Sequence, residues 1–167
     1  MHKPIKRHSS LQPLSREHHH GLLLSWKIRT GLSYGIETQR IKKYADWFFE
    51  NYLIPHFDME EKFIFPILGK THKLVRRALR EHGRLRRLFK AEGRVNHNLS
   101  LIEEELVNHI RFEERVLFNE VQDVANENQL KMLEELHVGI PDSDNWKDKF
   151  WEKGESDEAS KSAGSNH

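Results

Sequence analysis

Apolar residues recur every three or four positions along most of the chain, which is the spacing of helices that bury one face. Four such stretches are long, a fifth is short, and no stretch alternates as a strand does. The first helix is predicted to have Ser15 as its N-cap and to end near Gly31 and Gly35. Its predicted buried face consists of Leu14, His18, Leu22, Ser25, Ile28 and Leu32.

The remaining helices follow from the same pattern. The second is predicted over residues 39–68 with a kink at Pro55, because the apolar pattern resumes directly after that proline. The third follows Thr71, with Leu79 in its apolar stripe, and the fourth begins near Asn98, with Val116 in its stripe. The short fifth helix follows the fourth. Long helices with short connections predict an all-α, up-down-up-down four-helix bundle.

The C-terminal part of the chain differs in composition from the rest. A bundle domain is predicted over residues 1–140, and residues 141–167 are predicted to be a docking segment and a flexible tail. Two tryptophans and Phe150 in the first half of this region favour docking on the bundle. The polar residues that follow are typical of a disordered tail.

Composition excludes several classes of function. The 27 basic and 26 acidic side chains nearly balance, so we expect no nucleic-acid partner and no membrane partner. No stretch approaches the ~20 apolar residues of a membrane helix. The absence of cysteine excludes disulfides and thiolate ligands, and we expect a cytoplasmic protein. Arginines that crowd the outer face of the third helix are interpreted as a solvated surface.

One sequence pattern, called a phrase below, occurs twice, and its histidines and glutamates are candidate functional residues. "HFDMEEKFIF" begins at His56 and "HIRFEERVLF" begins at His109, so that Glu60 and Glu113 each follow a histidine by four positions. Residues four apart share one face of a helix. The triplet "REH" also occurs twice, once before each of these phrases. The chain therefore has the organisation of a duplicated half-bundle with approximate two-fold symmetry.

The twelve histidines fall into two sets, one at the chain ends and in loops and the other on the predicted helices. One histidine lies on or near the apolar stripe of each long helix: His18, His56, His82 and His109. Buried carboxylates are very costly unless they are paired or coordinate a cation. The pattern therefore predicts a metal site in the bundle core, with a polar network free of metal as the alternative. In the first helix His18 is preferred, and His19 is the close alternative.

The phrases together make the sequence resemble the hemerythrin-like (HHE cation-binding) family over about residues 11–120. The resemblance implies a non-heme centre of two Fe ions joined by carboxylate or oxo bridges, although Mn or Zn would also suit nitrogen and oxygen ligands. Glu61 and Glu114 lie one helical step, roughly 100°, from the implied ligand carboxylates, so we expect them either to contact the ligands or to lie on the surface. The implied ligands are His18, His19 (instead of His18 or with it), His56, Glu60, His82, His109 and Glu113.

The chain departs from the oxygen carriers of that family in its third and fourth helices. The carriers have a second histidine four residues from the third-helix ligand, where this chain has Arg86 and Ala78. They also use His-x4-Asp where this chain has His-x3-Glu. Both departures weaken the interpretation as a simple reversible oxygen carrier.

The function expected from the resemblance is to bind or sense O2 or a related small oxidant, such as a diatomic ligand or peroxide, in redox, oxygen or iron sensing. One alternative is a metal-stabilised regulatory module that a protein partner reads. Another is a weak peroxidase, which is less favoured because the sequence shows no dedicated proton donor or substrate cleft. No catalytic residue is predicted, and the expectation is that the protein is not an enzyme.

Overall fold

The computed structural model describes residues 6–136 and 145–152. Those residues form five helices and contain no strand, so the predicted all-α fold is confirmed. Helix α1 is Gln12–Ser33, α2 spans residues 38–68, α3 is Lys73–Lys90, α4 spans residues 95–124 and α5 is Glu127–Leu136. None of the described helices is both long enough and apolar enough to cross a membrane.

The predicted start of α1 is wrong by four residues, since the N-cap is Leu11 and not Ser15. The helix begins at Gln12 after Leu11, because Pro13 suits the first helical turn, where a missing N–H costs nothing. At the other end, α1 stops at Ser33, and Gly35 has a φ of +68°, in the left-handed region that favours glycine. At α3, His72 is the N-cap residue, and its side chain accepts a hydrogen bond from the Leu74 N–H at 3.2 Å.

Helix α2 continues through Pro55 by means of a π-helical turn. Its segments are Thr38–Phe48, the π turn Phe49–Leu53, Ile54–Met59, the π turn Glu60–Ile64 and Phe65–Leu68. A proline in a regular helix clashes with the carbonyl four residues earlier, and the π turn just before Pro55 changes that spacing.

Helix α4 repeats one of these irregularities. It consists of Val95–Phe112, the π turn Glu113–Leu117 and Phe118–Val124. Both phrases of the sequence repeat therefore carry a π turn that starts at the glutamate of the His-x3-Glu pair. Single π turns inside α-helices are frequent at functional sites.

The apolar core divides into two clusters, with polar side chains between them along the helices. On α1, Leu14 belongs to one cluster and Leu24 to the other, and His18 lies between them. On α3, Ala78 and Leu85 flank His82 in the same way. A buried layer of histidine and glutamate thus crosses the middle of the bundle.

Three predicted core residues face solvent: Leu22 is 36% exposed, Leu79 37% and Val116 44%. On α1 the reason is a close approach of two helices. A Cβ on Gly21 would lie 2.8 Å from Ile110 Cδ1, so α1 meets α4 at this glycine. Leu22 is thereby turned outward, and Leu24 is buried in its place.

Residues 145–152 lie against α1 and α2. Phe150 is buried against Gly31, where a Cβ would come within 2.9 Å of the Phe150 ring. Trp146 and Trp151 pack on Tyr44, with ring centroids 5.3 and 5.2 Å away. The predicted domain division at residue 140 stays a prediction, and the predicted tail lies outside the described residues.

Candidate metal centre

A cluster of six buried polar side chains lies in the middle of the bundle, and all four long helices contribute to it. Each member is at most 4% exposed. We call it the His/Glu cluster, and its members are His18 of α1, His56 and Glu60 of α2, His82 of α3, and His109 and Glu113 of α4. These are all of the predicted ligands except His19.

The ligand atoms of the cluster form two overlapping groups, within each of which they lie within 4.8 Å of one another. One group consists of Glu60, His82, His109 and Glu113, and the other consists of His18, His56 and Glu60. Glu60 belongs to both. The geometry therefore provides two adjacent cation positions with a shared carboxylate.

The oxygens of Glu60 face histidines from three helices. Oε1 lies 3.1 Å from the Nε2 of His56 and 3.3 Å from the Nε2 of His82, while Oε2 lies 3.8 Å from the Nε2 of His18. A carboxylate with these neighbours can reach both cation positions, as the predicted bridging role requires.

Glu113 is placed in a related way from the opposite side. Its Oε1 contacts the Nε2 of His109 and lies 3.4 Å from the Nε2 of His82. Its Oε2 lies 3.9 Å from the Nε2 of His18. Glu113 therefore belongs mainly to the position of His82 and His109, with one oxygen turned towards the other position.

The outward nitrogen of every histidine in the cluster meets a glutamate from another helix. The Nδ1 distances are 2.6 Å for His18 to Glu114, 2.9 Å for His56 to Glu17, 3.1 Å for His82 to Glu61 and 2.8 Å for His109 to Glu81. A carboxylate oxygen accepts, so each Nδ1 donates and carries a proton. In a neutral imidazole, Nε2 then presents its lone pair to the cluster.

The buried atoms of the cluster fit metal-ion binding. With Nδ1 protonated, four imidazole lone pairs and the carboxylate oxygens converge, and the Nε2 atoms of His82 and His109 are only 3.1 Å apart. Five buried atoms lack a hydrogen-bond partner: Nε2 of His18, Nε2 of His56, both carboxylate oxygens of Glu60 and Oε2 of Glu113. Unpaired acceptors in a dry interior are costly, and cations relieve that cost. Imidazole and carboxylate suit Fe, Mn and Zn.

In the absence of a metal, protons on the histidines partly neutralise the buried carboxylates of the cluster. Burial disfavours a charged imidazole, yet the negative charges of Glu60 and Glu17 and the hydrogen bond with Glu17 raise the pKa of His56 from 6.5 to about 10. Burial likewise disfavours the charged form of Glu113, but the charge of His109 and nearby hydrogen bonds hold the pKa of Glu113 well below 4.5. Metal binding must therefore displace protons from the cluster.

We expect the metal-free protein to lose stability as the pH rises from 6.5 towards 10. The folded pKa of His56 lies above its unfolded value, so its contribution is complete below pH 6.5 and is lost as the pH passes through about 10. Melting temperatures of the metal-free and metal-loaded proteins across this range test the expectation. The loaded protein is the control, because a metal-bound imidazole has no such proton to lose. A flat or rising curve for the metal-free protein is the contrary result.

The comparison with known proteins identifies the family. A family model described as the hemerythrin HHE cation-binding domain matches residues 10–121, about two-thirds of the chain. The chain belongs to this family. The hemerythrin HHE match includes every member of the His/Glu cluster, whereas α5 and residues 145–152 lie beyond it. Neither the curated proteins nor the solved structures gave a match.

The first helix of this hemerythrin HHE domain brings one of its three consecutive histidines to the cluster. His18 is 4% exposed, whereas His19 is exposed, lies outside both ligand groups and contacts the ring of His20. The structure therefore does not bring His19 to the cluster, because one step along a helix turns a side chain by about 100°. The buried position of His18 in the cluster agrees with its predicted role as a ligand.

We expect His18→Ala to weaken metal binding and His19→Ala to leave it unchanged. The first substitution removes one nitrogen from the group that has only three members. The second removes an exposed ring from the same helix, so it is a matched control. Titration of both metal-free variants with Fe(II) measures the difference, for which we expect at least one ion fewer in His18→Ala. Equal binding by the two variants would contradict the placement of His18.

In this hemerythrin HHE domain, Arg86 lies one helical turn after His82 and contacts it through a glutamate. The Nη2 of Arg86 donates to Glu61 Oε2 at 2.6 Å, and the same Oε2 accepts from His82. Arg86 thus supports the position of the His82 ring through the intervening Glu61. Burial disfavours charge on Glu61, yet the hydrogen bonds from His82 and Arg86 lower its pKa from 4.5 to about 2.

Sequence reasoning missed two residues that contact the cluster. Glu17 and Glu81 each precede a histidine of the cluster and bind the Nδ1 of a histidine on the next helix. The signal was present in the repeated "REH", but the partner of each glutamate lies on another helix. Helical periodicity alone therefore gave no role to these residues.

A small cavity adjoins the cluster on the side of α1 and α2. Its volume is about 10 Å³, which is about the space for a single water-sized molecule. The polar side chains that line it include His18, His56 and Glu17, and its apolar wall includes Phe48 and Leu106. The cavity thus joins buried ligand atoms to a mainly apolar space.

Proposed function

We propose that this hemerythrin HHE protein holds two iron ions in the His/Glu cluster and uses them to bind or sense O2 or a related small oxidant. The observation that carries the proposal is the position of Glu60, whose carboxylate belongs to both groups of ligand atoms. Each group also contains two histidines, which are His18 and His56 in one group and His82 and His109, together with Glu113, in the other. Iron with such ligands supplies reversible one-electron redox change and an open coordination position.

The two positions differ in how many protein ligands they offer. His82, His109 and two glutamates surround one of them, whereas the other has His18, His56 and Glu60. The cavity is lined by His18 and His56, so it adjoins the position with fewer protein ligands. This asymmetry supports a site at which one ion holds the centre together and the other accepts a small ligand.

The size and lining of the cavity favour a small ligand over an organic substrate. A space of about 10 Å³ admits a molecule of roughly the size of water. Phe48, Phe57, Leu106 and Ile110 line it and limit the access of bulk water. Such a space suits a diatomic molecule or peroxide, and it gives the weak-peroxidase interpretation no room for an organic co-substrate.

The experiment is to mix the ferrous protein with air and to record the absorption spectrum. A spectral change that reverses when O2 is removed supports oxygen binding, and a rapid permanent change supports redox sensing. The same protein loaded with Zn(II) is the control, because zinc has no redox chemistry. An iron-loaded protein whose spectrum responds to none of O2, peroxide and nitric oxide would contradict the proposal.

A metal-stabilised regulatory module is the second candidate, and one observation favours it. The cluster draws its ligands from all four long helices, so metal occupancy is coupled to the association of those helices. A protein partner would then bind selectively to the metal-bound fold. Strong stabilisation by iron without any gas reactivity would favour this candidate. For either function we propose a cytoplasmic location.

A further inference from the structure

The four histidines of the cluster are linked by glutamates into a closed ring around the bundle. Each glutamate binds the Nδ1 of a histidine on another helix, at 2.6–3.1 Å. Glu17 of α1 binds His56 of α2, Glu61 of α2 binds His82 of α3, Glu81 of α3 binds His109 of α4, and Glu114 of α4 binds His18 of α1. We call these four carboxylates the glutamate ring.

Each member of the glutamate ring is adjacent in sequence to a member of the His/Glu cluster. Glu17 and Glu81 stand immediately before histidines, while Glu61 and Glu114 stand immediately after glutamates. One step along a helix is a rotation of about 100°, so a ligand that faces the centre places its neighbour towards the adjoining helix. The same relation occurs in both halves of the sequence repeat, which gives all four histidines equivalent partners.

Arginines hold three of the ring carboxylates from the outer side. Arg86 Nη2 lies 2.6 Å from Glu61, Arg77 Nε lies 3.0 Å from Glu81, and Arg7 Nη2 lies 3.2 Å from Glu114. These contacts restrict the rotamers of the glutamates. The fourth carboxylate, Glu17, lines the cavity.

We propose that Glu17, Glu61, Glu81 and Glu114 are positioning residues that fix all four imidazoles with Nδ1 protonated and Nε2 directed at the metal ions. An imidazole that donates through Nδ1 can bind a metal only through Nε2. Because each hydrogen bond joins two helices, the ring also keeps the ligands arranged before a metal enters. The inference rests on the proposed metal function but does not depend on iron or on oxygen chemistry.

Four single variants test the ring: Glu17→Gln, Glu61→Gln, Glu81→Gln and Glu114→Gln. Glu105→Gln is the matched control, since Glu105 pairs with Arg84 at 3.0 Å on the surface of the bundle. The probe is Zn(II), whose affinity is measured by competition with a chromophoric chelator. We expect each ring variant to bind roughly 10–100-fold more weakly than the wild type. The affinity of the control variant for Zn(II) should stay within about twofold of the wild-type value.

A conservative series separates positioning from general loss of structure. Glutamine keeps an oxygen that can accept from Nδ1, whereas alanine keeps none. We therefore expect Glu81→Gln to retain part of the affinity that Glu81→Ala loses. Equal losses in the two variants, with helical circular dichroism unchanged, would count against a hydrogen-bonding role.

Nitrogen NMR of the zinc-loaded wild type tests the tautomers without any substitution. We expect all four imidazoles of the cluster to show a protonated Nδ1 and a metal-bound Nε2, and each Gln variant to shift the signals of its own histidine. Metal bound through Nδ1 in the wild type would overturn the inference, as would unchanged affinity in all four variants. A wild type that binds no Zn(II) would instead contradict the proposed metal function, so the two failures are distinguishable.

Discussion

Glu60→Gln is expected to lower the metal bound per chain from two ions to one or fewer. Glu60 is fully buried and is the only residue that belongs to both groups of ligand atoms among the described residues. Glutamine has nearly the same shape but loses the negative charge and replaces one acceptor oxygen with a donor group. Two cations would then share a core that has one carboxylate fewer. Elemental analysis after reconstitution with Fe(II) measures the change.

The control for this prediction is Glu50→Gln, which makes the same substitution at an exposed site on α2. We expect it to retain both ions. Glu113→Gln should resemble Glu60→Gln at the position of His82 and His109, where the Oε1 of Glu113 contacts both histidines. Two ions retained by both Glu60→Gln and Glu113→Gln would show that neither carboxylate bridges the ions.

Removal of the metal should lower the melting temperature of the wild type by roughly 10 °C or more. A ligand at about 1,000 times its dissociation constant stabilises the folded state by about 4 kcal/mol. For a protein of this size, each kcal/mol corresponds to roughly 2–4 °C. The physical source is the set of five unpaired acceptor atoms in the cluster, which lose their cations when a chelator removes them.

Circular dichroism melts at about pH 8, with and without a strong chelator, measure this effect. The pH lies above the ordinary pKa of histidine, so protons compensate less for the missing metal than at lower pH. Glu60→Gln is the matched control and should respond less to the chelator, since it begins with less metal. A wild-type melt that does not change with chelator would mean that the bundle does not depend on a metal.

The members of the His/Glu cluster were predictable from the sequence to the extent that they obey helical spacing. Residues four apart share a face whatever surrounds the helix, so His56 with Glu60 and His109 with Glu113 could be paired without a structure. The choice between His18 and His19 depended on the rotation of α1. That rotation is set by the contact of Gly21 with Ile110 on another helix.

The same contact explains why the predicted burial of Leu22 was wrong. Where Gly21 allows two helices to meet closely, the glycine is buried and Leu22 beside it is turned outward, and hydrophobicity alone assigns Leu22 and Leu24 equally well to the core. The roles of Glu17 and Glu81 depended in turn on partners 39 and 28 residues away. Such pairings between helices are a property of the assembled bundle and not of local periodicity.

The central claim is that the buried His/Glu cluster holds two metal ions, and the most direct test is the iron content of the wild-type chain. Metal-free protein is reconstituted with Fe(II) under nitrogen, freed of unbound ion and analysed for iron per chain. We predict two irons per chain in the wild type and none in a variant that replaces Glu60 and Glu113 together by glutamine. A wild-type chain that is folded yet takes up no iron, manganese or zinc would contradict it.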